Sequence, residues 1–315
     1  ISNSNFKYRA NMKVLITGGS GFLGHSLTRQ LKDKEHEVVS LSSKDADLTQ
    51  SDSLKFLDPN EFDLIFHLAA HTQAGDWSQY HSGEEWCINQ QINTTVLSWW
   101  VKSQSQAKLI SMGTSCSYEE ASIHEEKNYL LGTPRQELYT YAMTKRMLLI
   151  GQKAINSQYG LDYLSFIPST LYGPHYNTDK KQLHFIFDLI FKIINFKKSG
   201  EPIILWGNGH QRRELVYVED FVSIMIDLSI TQKNDLINIG AGEDYSIREF
   251  AQIICDKLEV DSSEIIYDEK QYVGAKSKVL DTKKLNNLIP NFKKIPLKEG
   301  LELTIEAILK KSELL

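Results

Sequence analysis

Tyr141 and Lys145 stand four residues apart in the stretch "YTYAMTKRM". On a helix that spacing puts both side chains on one face. A lysine cation beside a phenol lowers the phenol's pKa, so that it exchanges a proton near neutral pH. Such a phenol suits a carbonyl that is receiving a hydride. Earlier in the chain, "GTSCSY" places Thr114, Ser115 and Cys116 just past an apolar run, "AKLISM" (107–112). A cysteine there admits two readings. It is a small thiol that only packs, or it is an acid–base group at the lip of a sheet, where α/β proteins hold their ligands.

The elements that must position these residues can be read from the apolar pattern. Five short runs predict strands at 13–17, 37–41, 63–69, 107–112 and 162–167, with helices near 22–34, 85–103 and 140–159 between them. Strands alternating with helices imply an α/β fold with a Rossmann-type, doubly wound parallel sheet. Beyond residue 170 the alternation loosens. Helical stretches near 184–196, 219–231, 246–258 and 297–311 accompany the short runs "PIILW", "LVYV", "LINIG" and "EIIYD". They predict a smaller C-terminal α/β lobe. The expected division is a disordered extension or cloning remnant over 1–11, a nucleotide-binding unit over 12–170 and a mainly substrate-binding lobe over 171–315, with the chain crossing back.

The first strand runs into "TGGSGFLGHSL", which carries Gly18, Gly21 and Gly24 in a GxxGxxG pattern. The first glycine permits the tight turn, the second lets backbone approach a pyrophosphate, and the third lets helix pack on strand. Phosphates then sit at the helix N-terminus. Gly18, Ser20, Gly21, Phe22 and Leu23 are the expected dinucleotide cradle. The second strand ends in Ser42, Ser43 and Lys44, with no carboxylate expected to repel a 2′-phosphate. Two hydroxyls and an amine favour NADPH over NADH. Asp47 and Leu48 are expected over the adenine. Leu68, Ala69 and Ala70, from "HLAAH" (67–71), and Pro168, at the end of the fifth strand, flank the rest of the cofactor. His67 and His71 read as strand-end hydrogen-bonding residues rather than catalysts.

Taken in order, "TGGSGFLG", "HLAA", the hydroxyl residues after the fourth strand, "YAMTK", "LYGP" (171–174) and "RRELVYVED" (212–220) resemble the extended short-chain dehydrogenase/reductase family. These are the nucleotide-sugar epimerases, dehydratases and reductases, and the resemblance spans residues 12–310. Within the family, "GTSCSY", "LLGTPRQELYTYAMTK", "STLYGPHYN" and "ILWGNGHQRRELVYVEDF" are most similar to the GDP-L-fucose synthase subgroup. The resemblance implies an NADPH-dependent 3,5-epimerisation and 4-reduction, from GDP-4-keto-6-deoxymannose to GDP-L-fucose or a close relative. By resemblance Cys116 is the base and His184 the acid of the epimerisation. Thr114 and Tyr141 hold the 4-oxygen, and Lys145 fixes the nicotinamide ribose. Lys192 and Arg213 meet the diphosphate. Trp206 flanks nucleotide or sugar, with core packing as its competing reading. Lys278 or Lys276 reaches base or phosphates, and His175 and Asn177 stand near the substrate or on loop surface.

Departures from the subgroup's pattern are Glu119 where proline is usual, Thr170 where asparagine is usual, and "HTQAGDW" (71–77) in place of a glycine-rich loop. They leave open a 4-ketoreductase or epimerase that acts on a different keto-sugar without full 3,5-epimerisation. A non-catalytic, cofactor-sensing protein of this fold is disfavoured, because Tyr141 and Lys145 are both intact.

The totals narrow the partners. Over 315 residues the net charge is −5, with a pI near 6.0, so neither nucleic acid nor an anionic membrane surface is expected. No apolar run approaches the roughly 18 residues of a spanning helix. Cys87, Cys116 and Cys255 are odd in number and widely spaced, which reads as reduced thiols in a cytoplasmic protein, with no metal site. The helices near 85–103 and 140–159 carry apolar residues on more than one face, and relatives dimerise through a four-helix bundle built from these. A homodimer is therefore expected.

Overall fold

A computed structural model describes residues 11–72, 77–120, 123–176, 183–270, 277 and 279–313. The expected N-terminal extension therefore lies, apart from Asn11, outside the described residues.

Five strands form within the first 170 residues: β1 (Lys13–Thr17), β2 (Glu37–Leu41), β3 (Leu64–His67), β4 (Lys108–Met112) and β5 (Tyr163–Pro168). Helices α1 (Phe22–Asp33), α2 (Trp77–Tyr80), α3 (Ser82–Ser103) and α4 (Tyr139–Tyr159) alternate with them. β3 and β4 are mainly apolar, and every residue but Lys108 is buried, as expected of parallel strands covered on both faces. The order across the sheet is β10-β5-β4-β3-β1-β2, where β10 (Asp235–Ile239) is the sixth strand, and every pairing is parallel. From β1 the chain winds outward to β2, then returns to the other side of β1 as β3. The reversal opens a crevice at the carboxyl ends of β1 and β3, the place where such sheets hold ligands.

The second half contributes β6 (Thr170–Tyr172), β7 (Ile203–Trp206), β8 (Arg212–Arg213), β9 (Leu215–Tyr217), β11 (Tyr245–Ser246) and β12 (Ile265–Asp268). These pair two by two: β7 with β12, β6 with β9, and β8 antiparallel with β11. Helices α5 (Phe185–Ser199), α7 (Ile247–Leu258) and α9 (Leu297–Glu313) surround a separate core of Phe187, Ile190, Ile193, Phe250, Ile254 and Leu301. α6 (Val218–Thr231) belongs elsewhere. Its Phe221, Val222 and Met225 share the main-sheet core with Leu27 and Leu31 of α1. Its Glu219 accepts from Ser26 at 2.5 Å and pairs with Arg29. The chain thus returns to the first unit over α6 and β10 before α8 (Lys283–Leu288) and α9 close the fold.

Candidate active site

Gly18 takes φ +73°, and a Cβ there would stand 2.7 Å from the Ala69 nitrogen. Gly24 packs tighter still: a Cβ would lie 2.3 Å from the Gly18 carbonyl. Side chains are thus excluded from the turn between β1 and α1, and Gly21 caps α1 without a side chain of its own. The free N–H groups of that first turn suit a pyrophosphate. Ser20 is exposed, while Phe22 and Leu23 are half-buried. Phe22 lies edge-on to Tyr176 at 5.3 Å, joining the cradle to the second half of the chain. Leu68, Ala69 and Ala70 emerge half-buried from β3, with Leu68 N–H donating to the Thr17 carbonyl at 3.2 Å. Pro168 ends β5, also half-buried.

Just past the end of β2, Asp45 accepts from both the N–H (2.8 Å) and the hydroxyl (2.6 Å) of Ser42. Ser42 is therefore committed to a local turn, and its hydroxyl holds Asp45 below the usual carboxylate range. Ser43 and Lys44 remain exposed at the same corner. Asp47 is likewise engaged, accepting from Thr49, and Leu48 is buried in the core beneath.

Past β4 the chain enters a short 3₁₀ turn, Ser115–Ser117. Thr114 caps it: its hydroxyl oxygen accepts from the Cys116 N–H at 3.2 Å and also hydrogen-bonds the Tyr141 phenol. The buried Arg146 guanidinium, one residue past Lys145, donates to the carbonyls of Ser117 (2.5 Å), Leu131 (2.7 Å) and Gly132 (2.8 Å). It thereby ties the cysteine turn and the approach loop to α4. Tyr141 and Lys145 share a face as expected, with Lys145 Nζ 5.9 Å from the phenol ring centre.

The electrostatics of this pair differ from the expectation. Burial is the leading influence on Tyr141 and pushes its pKa up; Cys116 adds to this, and only the Thr114 hydroxyl opposes it. Burial also lowers Lys145 from 10.5 to about 8. The lysine is thus still mainly a cation at neutral pH and loses its proton from about pH 8 upward. His67 is fully enclosed between Thr17 Oγ1 (2.9 Å) and Asn93 Oδ1 (3.2 Å), and burial lowers its pKa to about 4. It is a neutral structural histidine.

Cys116 is half-exposed and faces a cleft lined with Tyr118, Glu120, His124, Arg135, Leu138 and Ser277. Arg135 was not singled out from the sequence. Its signal was a cation six residues before Tyr141, in "TPRQELYTY", whereas cations for the diphosphate were sought only in the second half of the chain. Arg213 is half-buried, and its guanidinium is pulled below its ordinary pKa by burial and then by the charge of Arg135. The two guanidinium groups therefore approach one another from different halves of the chain. Arg212, by contrast, is engaged with Asp244 at 2.7 Å and Glu249 at 3.3 Å.

His184 caps α5 and is exposed, with its ring edge-on to Tyr176 at 6.1 Å. Among the described residues it does not line the Cys116 cleft. Lys192 pairs with Asp188 one turn earlier at 2.9 Å. Trp206 is 61% exposed, which removes the core-packing reading. His175 sits at φ +67° with its ring 4.7 Å from His25. Lys278, Lys276, Asn177 and residues 73–76 of the replaced loop lie outside the described residues.

The sequence model of the NAD dependent epimerase/dehydratase family matches residues 14–240. The chain is 29% identical to GDP-L-colitose synthase of Yersinia pseudotuberculosis, over 95% of this chain and 98% of that one. It is 27% identical to GDP-L-fucose synthase of Escherichia coli K12, over 96% and 98%. In fold it is similar to a GDP-L-fucose synthetase from Naegleria fowleri bound to NADP, with a TM-score of 0.86, 23% identity, and coverage of 99% and 98%.

Proposed function

The chain belongs to the NAD dependent epimerase/dehydratase family, and from that premise we propose that it is an NADPH-dependent nucleotide-sugar 3,5-epimerase and 4-reductase. Its substrate is GDP-4-keto-6-deoxymannose or a close relative, in keeping with the names of the two curated relatives. The observation that carries the reading is the placement of Thr114, Cys116 and Lys145 around the half-buried phenol of Tyr141.

The glycine turn and the first turn of α1 hold the dinucleotide, and Ser43 and Lys44 supply polar and cationic contacts for a 2′-phosphate. Bound NADPH supplies the hydride that reduces C4. Thr114 and Tyr141 donate to the 4-oxygen, which stabilises negative charge there during both enolisation and reduction. That charge acidifies the protons on C3 and C5. Cys116 removes them, in a cleft whose lining also includes Arg135. His184 returns protons on the opposite face. Tyr141 delivers the last proton to the 4-alkoxide, and Lys145 orients the nicotinamide ribose. Arg213, with Arg135 beside it, meets the diphosphate, since guanidinium forks match paired phosphate oxygens. Trp206 flanks the base, and Lys192 contributes charge nearby.

A second reading keeps the reductase and restricts the epimerisation. It is favoured by one observation, the position of His184 outside the described lining of the Cys116 cleft.

The protein acts as a homodimer in the cytoplasm. Trp86 on α3 and Met147 and Ile150 on α4 are each at least 38% exposed, the apolar face that a four-helix bundle would cover. The cysteines are free thiols, and no helix among the described residues is long and apolar enough to cross a membrane. Tyr141→Phe tests the chemistry. Steady-state turnover should fall by about 10²–10⁴, the usual worth of a positioned acid–base group, with NADPH binding retained. Undiminished turnover would remove Tyr141 from the reaction.

A further inference from the structure

Glu85, in the first turn of α3, is 1% exposed. Glutamates are almost never enclosed this fully unless paired. Ser78 donates to Glu85 Oε1 at 2.9 Å, but Oε2 is buried without a hydrogen-bond partner. Close by, His71 is pinned through its backbone. Its N–H donates to Asn89 Oδ1 and its carbonyl accepts from Asn89 Nδ2, both at 2.9 Å. The ring packs edge-on to Trp77 at 5.2 Å, and Nε2 is also buried without a partner. Asn89 joins the two, since its Nδ2 also donates to the Glu85 carbonyl at 2.9 Å. Two turns on from Glu85 along the same face of α3, Asn93 Nδ2 reaches the carbonyl of Thr144, between Tyr141 and Lys145 on α4.

Folded chains rarely leave such atoms unmet. Here there are two, at the face of α3 that meets α4, the helix carrying the phenol assigned to the sugar carbonyl. A hydroxyl is both donor and acceptor, so a single one can satisfy carboxylate and imidazole together. We propose that Glu85 and His71 form a specificity-determining pair that hydrogen-bonds a ring hydroxyl of the sugar beside its carbonyl. This rests on the reading of the site as one for a nucleotide keto-sugar. Tyr141 and Cys116 then act on the reacting carbons, while Glu85 and His71 select which hydroxyl pattern reaches them. Sites built around a substrate hydroxyl reject the analogue that lacks it far more strongly than apolar pockets reject a missing methylene.

The test compares GDP-4-keto-6-deoxymannose with its 3-deoxy counterpart in the parent, Glu85→Gln, Glu85→Leu and His71→Leu, following NADPH oxidation. NADPH titration by fluorescence establishes that each variant is folded. The parent should prefer the 3-hydroxy sugar. Glu85→Leu should lose kcat/KM on that sugar by on the order of a hundredfold, and at least tenfold more than on the deoxy sugar. Glu85→Gln, which keeps shape and polarity, should recover part of the preference. Equal losses on both sugars in the folded variants, or no loss on either, would make the pair a structural or water-filled pocket and overturn the proposal. A parent inert on both sugars would instead overturn the keto-sugar reading beneath it, and this inference with it.

Discussion

Lys145 is 7% exposed, and its ammonium is held well below its ordinary pKa by burial alone. The shift from 10.5 to about 8 fixes the sign of its effect on stability. The unfolded chain binds this proton more tightly than the folded one. The contribution of neutral Lys145 is therefore fully present above pH 10.5 and is lost as pH falls through about 8. At pH 7 a charged Lys145 costs the folded chain about 3 kcal/mol. Lys145→Met should raise the thermal midpoint at pH 7 and abolish most turnover, an exchange of stability for function. The gap in midpoint between variant and parent should narrow by pH 10, as scanning calorimetry across pH would read. At this scale the sequence was legible where chemistry follows spacing, as with Tyr141 and Lys145. It was not legible where burial decides. That Tyr141 is pushed up rather than down depends on what surrounds it, and the i, i+4 pattern carries no such information. The engagement of Ser42 by Asp45 was hidden for a related reason. A carboxylate three residues past Ser42 reads as loop surface until the turn folds back on it.

At the scale of elements, His67 joins three of them. It ends β3, bonds Thr17 at the end of β1, and meets Asn93 in the middle of α3. Its pKa is lowered from 6.5 to about 4 because the enclosed ring resists protonation. The stability it confers is present above pH 6.5 and is lost as pH falls through about 4. The slope of unfolding free energy against pH over that window should be smaller in His67→Gln than in the parent, measured by urea titration at several pH values. An unchanged slope would mean that His67 does not control acid unfolding. The long periodic elements, α1, α3, α4 and the five N-terminal strands, were visible from apolar spacing because each buries a regular face. The two- and three-residue strands β6, β8 and β11 were not visible, since pairs such as Arg212–Arg213 form a strand only when Tyr245–Ser246 comes alongside. The 3₁₀ turn that presents Cys116 was hidden in the same way. It is held by Thr114 and by Arg146, a cation that packs inward.

For the whole molecule, the chain's return over α6 and β10 is what binds the two cores together. Glu219 and the apolar face of α6 lock onto α1, the helix of the dinucleotide cradle. The sequence led to the expectation that the chain crosses back but not to which elements do so, because α6 and β10 read locally like any helix and strand of the second half. The same limit applies to Glu85, which "EEWCINQQIN" presents as one more charge on a surface helix. The exposed apolar face of α3 and α4 belongs to this scale too. Ile150→Glu should convert a dimer to a monomer in light scattering at micromolar concentration, since a charge buried at such a face is costly. A parent that is already monomeric there would contradict the bundle.

The most direct test of the account is to supply GDP-4-keto-6-deoxymannose and NADPH in D₂O and analyse the product by mass spectrometry and NMR. The expected result is NADPH oxidation together with deuterium at both C3 and C5. NADPH oxidation without deuterium at either carbon would contradict it, reducing Cys116 and His184 to packing and leaving a plain 4-reductase.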